Sequence, residues 1–412
     1  MKVTGLETVR LAGHPQMLWL QVHTDEGIVG LGETCIGPAT VEAHIHETIA
    51  PYLVGKDPLL VSQHWHELSG SFLGYQGTGA ETRGLSAVDL ALWDIRGQAQ
   101  GRSITDLLGG RTRESARIYN TCAGPSYGRA TRGALRAADR GTAAQDGLLA
   151  AAGAAALYED LQLAIDRPAD LARQLLDQGI SAMKIWPFDR YAAASKGYDI
   201  RPADLSAGVA VIAQIREAVG DAIDVMLEMH AVWHLGAALK IAGAVEPLGV
   251  YWFEDPVKAD NLAAAATFAA STHVPVAMGE TLAGLASFRT LLETGAARII
   301  MFDLGWVGGL TEACRVTSLA QAYDLVIAPH DCTGPVVLTA SAHLVSNAPN
   351  ALMQETVRAY YRGWYRDIVT ELPTISGGQI SPPPGPGLGT KLRPGLTTGH
   401  DARTMFTGVD DL

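Results

Sequence analysis

The sequence predicts an α/β protein: a parallel barrel of the (β/α)7β kind, preceded by a smaller α+β module. Three observations carry this. From residue 116 onward, short strands alternate with amphipathic helices, and eight such strands can be counted. Those strands are continuously apolar, as in a parallel sheet covered by helices on its outer face. Polar residues also recur at the strand C-terminal ends at nearly constant intervals, about the length of one strand–helix unit.

The elements follow in order. "LWLQVHTDEGIVGLGET" alternates apolar and polar residues around a "DEG" turn, which indicates a hairpin. "TVEAHIHETIAPYLVGKDP" has helical spacing and stops at Gly and Pro. "SAVDLALWDIRGQAQG" places Val88, Ala91, Leu92 and Ile95 on one helical face and ends at Gly101. "ARIYNTCAG" opens the barrel as a short apolar strand. An Ala-, Gly- and Arg-rich stretch at about 126–160 then interrupts the pattern as a helical or mobile insertion. The strands "SAMKIW", "IDVMLEMH", "VYWFEDP", "VPVAMGE", "ARIIMFD", "LVIAPHD" and "ALMQET" follow, with a helical segment after each but the last. The Pro- and Gly-rich tail, 372–412, reads as a segment running back over the surface toward the first module.

Composition narrows the class. Hydrophobic residues at 48% against 18% charged residues can fill a large core. A net charge of −12 with no basic run argues against nucleic-acid binding. Four cysteines without a CxxC pair give neither a disulfide framework nor a zinc spacing and point to a reducing compartment. Neither a signal-peptide core nor a membrane span is read, so a soluble cytoplasmic protein is expected.

Lys184, Glu228, Glu254, Glu280, Asp303, His330 and Glu355 stand at the ends of successive strands. From Glu228 the steps are 26, 26, 23, 27 and 25 residues, which puts each at one height, the catalytic face of a barrel. One glutamate at a strand end solvates that end. Three in register repel one another unless a hard divalent cation joins them, and an all-oxygen set suits Mg²⁺, with Mn²⁺ as the alternative. Asp303 beside His330 on the next strand makes an oriented general base. His230 lies two residues beyond Glu228, and a strand's period of two would turn both the same way.

These motifs resemble the enolase superfamily, specifically its mandelate racemase branch, over nearly the whole chain. "SAVDLALWDIRGQAQGRSITDLLGG" resembles that family's capping-domain helix, "YWFEDP" its E-x-P strand, "MGET" its G-E strand, "FDLGWVGGLTE" its Asp strand, and "APH" its histidine strand. The resemblance implies a capping domain at 1–115, with 372–412 packing back toward it, and a catalytic barrel at 116–371. It implies Glu228, Glu254 and Glu280 as Mg²⁺ ligands, His330 as the base held by Asp303, and Glu355 opposite as a hydrogen-bond donor to the enolate. Lys184 matches the first lysine of the family's K-x-K strand, as a cation for the substrate carboxylate or as a base itself. The second lysine is replaced by Trp186, which cannot take a proton. His230 would be the acid that protonates a leaving hydroxide.

The implied activity is that of an acid-sugar dehydratase, a lyase forming a 2-keto-3-deoxy acid. The alternative is a cycloisomerase or epimerase of a sugar-acid lactone or anhydro sugar acid, using the same enolisation. A non-catalytic barrel is the third reading, opposed by the complete ladder. The implied partners are a small sugar acid and further copies of the chain in a homo-oligomer. Loops at about 12–18 and 33–38 should close the mouth, with His14, Tyr119, Asn120, Trp306 and Arg358 as candidate wall residues.

Overall fold

The computed structural model describes residues 1–70, 77–125, 127 and 158–412. The N-terminal sheet contains β1 (Val3–Leu11), β2 (Met17–Thr24) and β3 (Val29–Cys35), with β2 antiparallel to both its neighbours, and is joined from the far end of the chain by β14 (Ala402–Gly408). β14 pairs antiparallel with β1, Gly5 opposite Gly408. The helix Ala80–Gln100 lies close against β3. A Cβ at Gly32 would come within 1.9 Å of the Ala87 carbonyl oxygen, so only glycine permits this approach.

The barrel is built from β4 (Ala116–Thr121), β5 (Ala182–Ile185), β6 (Asp224–Glu228), β7 (Phe253–Glu254), β8 (Val276–Met278), β9 (Ile299–Ile300), β10 (Val326–Ile327) and β11 (Gln354–Thr356). Neighbours pair in parallel from β4 to β10, and β11 pairs in parallel with β4. A bridge between Ile327 and Ala351 closes the remaining gap. Below the polar ends lies one buried cluster that includes Tyr119, Ala182, Met226, Trp252, Met301, Ala328 and Met353. Each stands two residues before Thr121, Lys184, Glu228, Glu254, Asp303, His330 and Glu355 respectively, so the strand period sets both layers at once. Glu280 reaches the upper layer differently. The cluster takes Ala277, three residues back, and Gly279 at φ 121° makes up the odd residue. A Cβ there would meet the Met301 carbonyl oxygen at 2.6 Å.

Two further strands, β12 (Thr374–Ser376) and β13 (Gln379–Ser381), form a hairpin whose second strand runs antiparallel to the start of β4, Ile380 opposite Ala116. The N-terminal sheet is tied to the barrel mouth by specific bonds. The buried carboxylate of Glu33 accepts from the Trp19 indole at 2.6 Å and from the amides of Val336 and Val337 at 3.0 and 2.9 Å. It thereby satisfies the N-terminus of the helix Pro335–Asn347. Thr34 donates to the Gly305 carbonyl at 2.7 Å, and Trp65 to that of Gly308 at 2.8 Å. The insertion expected at about 126–160 falls outside the described residues, except for Tyr127 and 158–160. No helix among the described residues is long and apolar enough to cross a membrane.

Candidate active site

A cavity of about 290 Å³ opens at the C-terminal ends of the barrel strands. Lys184, Glu228, His230, Glu280 and His330 line it from below, and His14, Gln16, Met17, Cys35 and Ile36 from the N-terminal sheet. Carboxylate oxygens of Glu228, Glu254 and Glu280 lie within 4.8 Å of one another. The fit to a cation is visible in the charges. Burial raises the Glu228 carboxyl, but His230 and Lys184 outweigh it and hold it down at about 2. Burial and the charge of Glu228 push Glu254 well above the usual carboxylate range, and burial pushes Glu280 up too. Three buried acids thus cannot all ionise alone, and a hard divalent cation among their oxygens would let them.

Outer contacts fix the directions of these oxygens. Glu228 Oε1 accepts from the amides of Met229 and His230 at 3.0 and 2.7 Å, and Glu254 Oε2 from the Trp252 indole at 2.9 Å. The Lys184 ammonium meets Glu254, lies 3.1 Å from Glu228 Oε2 and 2.8 Å from Glu355 Oε1. Burial opposes its charge, but these carboxylates prevail and hold its pKa well above that of a free lysine. Lys184 is thus held as a cation among the carboxylates.

Glu355 is held through both carboxylate oxygens. It accepts from Thr121 and Lys184 through Oε1 and from the Asp331 amide at 2.9 Å through Oε2. Burial favours its neutral form, yet Lys184 and His330 outweigh it and keep the carboxyl low.

His330 Nδ1 lies 2.7 Å from Asp303 Oδ2. Thr333 donates to that same oxygen, and the Gly305 amide to Asp303 Oδ1 at 2.7 Å. The other nitrogen, Nε2, faces the carboxylate side, 3.5 Å from Glu280 Oε2 and 4.0 Å from Glu355 Oε2. Burial lowers the imidazole's proton affinity, but Glu280, Glu355 and Asp303 raise it further, well above the ordinary histidine range. His230 reaches the same cavity by an unexpected route. β6 ends at Glu228, so strand period does not aim it; His230 and Ala231 take left-handed conformations, at φ 44° and 54°. His230 Nδ1 lies 2.5 Å from Asp189 Oδ2. Burial is again outweighed, by Glu228 and Asp189, and the imidazole is raised to about 9.

Of the candidate wall residues, His14 and Trp306 line the cavity and the other three do not. Tyr119 belongs to the layer beneath. Asn120 and Arg358 point outward to a buried pair with Asp160, whose carboxylate takes the Arg358 guanidinium at 2.6 Å on both oxygens. Sequence reasoning does not single out Asp189, Tyr127 or Thr333. Asp189 stands just past Trp186 in "KIWPFD", and an acid within a few residues of a strand end is the signal that could find it.

Residues 6–109 match the family described as Mandelate racemase / muconate lactonizing enzyme, N-terminal domain, and residues 167–396 the one described as Enolase C-terminal domain-like. A D-galactonate dehydratase of Ralstonia nicotianae is 32% identical over 403 residues, covering 95% of this chain and 92% of that protein. One from Variovorax paradoxus is 33% identical over 402 residues, with the same coverage. The crystal structure of an enolase of the mandelate racemase subgroup from Agrobacterium tumefaciens superposes with a TM-score of 0.85 at 43% identity, covering 100% of both chains. Matched in both halves and along its whole length, this chain belongs to the mandelate racemase branch of the enolase superfamily and is an enzyme.

Proposed function

We propose that the enzyme is a Mg²⁺-dependent dehydratase of an acid sugar, with Mn²⁺ as a substitute metal. The observation that carries this is that two carboxylate-backed imidazoles, His330–Asp303 and His230–Asp189, line one cavity beside three clustered glutamates. Elimination of water from a hydroxy acid needs a base for the α-proton and an acid for the departing hydroxyl. The relatives named as D-galactonate dehydratases make a six-carbon aldonic acid the first substrate to try.

His330 takes the proton α to the carboxylate through Nε2, while Asp303 holds Nδ1–H and stabilises the imidazolium. Glu228, Glu254 and Glu280 would hold the cation, which supplies positive charge to polarise the substrate carboxylate. Lys184 adds a preorganised ammonium on the same side, kept in place by Glu355. The acid arm at His230 protonates the 3-hydroxyl as it leaves, and the enol becomes a 2-keto-3-deoxy acid. Trp186 removes the second-face base, so turnover by two-base racemisation is not expected. Assembly as a homo-oligomer belongs to the same reading, and light scattering checks it.

The test is a screen of aldonic, aldaric and uronic acids with purified protein and Mg²⁺. A product one water lighter than its substrate, formed as a 2-keto acid and abolished by EDTA, is the expected result. A product of unchanged mass would move the enzyme to the isomerases and sink the dehydratase reading.

A further inference from the structure

Both ring nitrogens of His230 are occupied. Nδ1 meets Asp189, and Nε2 lies 2.9 Å from the Tyr127 hydroxyl. The nitrogen that should face a departing hydroxyl faces a phenol. Tyr127 itself lines the cavity together with Lys184, Glu228, Glu280 and His330. Its position is held at several points. The Trp186 ring lies 5.3 Å, centroid to centroid, from the rings of both Tyr127 and His230. The Tyr127 amide donates to the Gly124 carbonyl at 3.0 Å, and its own carbonyl accepts from the Tyr360 hydroxyl. A phenol fastened this way does not readily swing aside to uncover Nε2.

We propose that Tyr127 is a further catalytic residue: its hydroxyl hands the proton to the departing 3-hydroxyl, and His230 resupplies it from behind. This rests on the dehydratase reading and deepens it. The step balances. His330 has taken the α-proton, and the electron pair left at C2 forms the C2–C3 double bond. The C3–O bond breaks and its pair goes with the oxygen. The Tyr127 proton joins that oxygen to give water, and the Nε2 proton of His230 restores the phenol. On ketonisation the enol proton returns through Tyr127 to Nε2, and the proton on His330 goes to C3. Both imidazoles end as they began. Trp186 gains a purpose in this arrangement: where the family has a second lysine, an indole seats the two rings of the relay.

The test is Tyr127→Phe, which keeps the ring and removes only the hydroxyl. Three rates are read on the substrate found by the screen: α-proton exchange in D₂O, dehydration, and elimination of fluoride from the 3-deoxy-3-fluoro analogue, a leaving group far less dependent on a proton. Dehydration should fall about 10²–10³-fold, the range for loss of a general acid. Exchange and fluoride elimination should stay within a few-fold of the parent, which also shows that the variant is folded. An equal fall in all three rates would make Tyr127 structural and overturn the proposal. So would dehydration by the variant at the parent rate. If the parent enzyme exchanges the α-proton yet releases no water from any acid, the dehydratase reading fails and takes this proposal with it. A dehydrating parent beside a fully active variant overturns the relay alone.

Discussion

The proposed base arm and the proposed acid arm contain the same pair, an imidazole backed by a carboxylate, but are built differently. His330 and Asp303 sit just past consecutive strands, β10 and β9, each two residues beyond a member of the barrel's buried layer. His230 lies past the end of its strand in a left-handed turn, and its partner Asp189 comes from a short 3-10 turn, Asp189–Tyr191. At the base arm Nε2 looks toward Glu280 and Glu355; at the acid arm Nε2 ends on Tyr127. In the proposed mechanism the strand register would set the base against the α-carbon. The acid arm is made of turn residues instead.

The largest expected effect separates the arms outright. His330→Asn should lower both α-proton exchange and dehydration by about 10³–10⁴-fold. His230→Asn should lower dehydration by about 10²–10³-fold and leave exchange nearly intact. Equal losses of both rates in both variants, followed by NMR in D₂O, would show that the two arms do not divide the work.

The carboxylates sharpen the contrast at smaller scale. Asp303→Asn turns the oxygen that accepts from His330 and Thr333 into an amide donor, leaves the Gly305 bond at Oδ1, and should cost about 10²-fold or more in exchange. Asp189→Asn should cost roughly tenfold, in dehydration only. A larger loss at Asp189 than at Asp303 in steady-state rates would reverse the ranking.

A third imidazole shows what the carboxylates do. His343 is buried with Thr105 at 2.8 Å from Nδ1 and the Leu388 carbonyl at 3.2 Å from Nε2, so neither nitrogen is bonded to a carboxylate among the described residues. Burial therefore wins, and its pKa falls from 6.5 to about 4. Between those values the unfolded chain binds the proton and the folded chain does not. Stability from this group is thus complete above pH 6.5 and declines as pH drops, by about 1.4 kcal/mol per pH unit until about pH 4. Buried acids such as Glu33, Asp89 and Asp94 are raised and act the other way, so the slope is read as the difference between parent and His343→Gln in denaturant titrations from pH 7 to 4. An unchanged slope in the variant would mean that other groups carry the acid sensitivity.

The same division of the site into register and loop decides which residues are legible in the sequence. The residues of the base arm and the glutamates recur because each strand–helix unit has nearly the same length, and that repeat is written in the spacing. Glu280 keeps its place in the count only because Gly279 absorbs one residue. Asp189 and Tyr127 belong to loops, which have no period to count. Tyr119 and Asn120 miss the cavity for a related reason. The height of the site on β4 is Thr121, and one or two residues short of it a side chain falls into the layer below or onto the outer face. Strand periodicity points His230 into the cavity, and His230 is there, but the turn at φ 44° and not the strand carries it.

The pairing of β1 with β14 has a consequence for the order of assembly. During synthesis the first strand emerges early, and its partner leaves the ribosome about 400 residues later. Until then one edge of the sheet that roofs the cavity lies open. The roof is finished only once residues 402–408 are made. A nascent polypeptide that stalls before residue 402 would therefore hold every acid and imidazole named above under a cover missing its last strand.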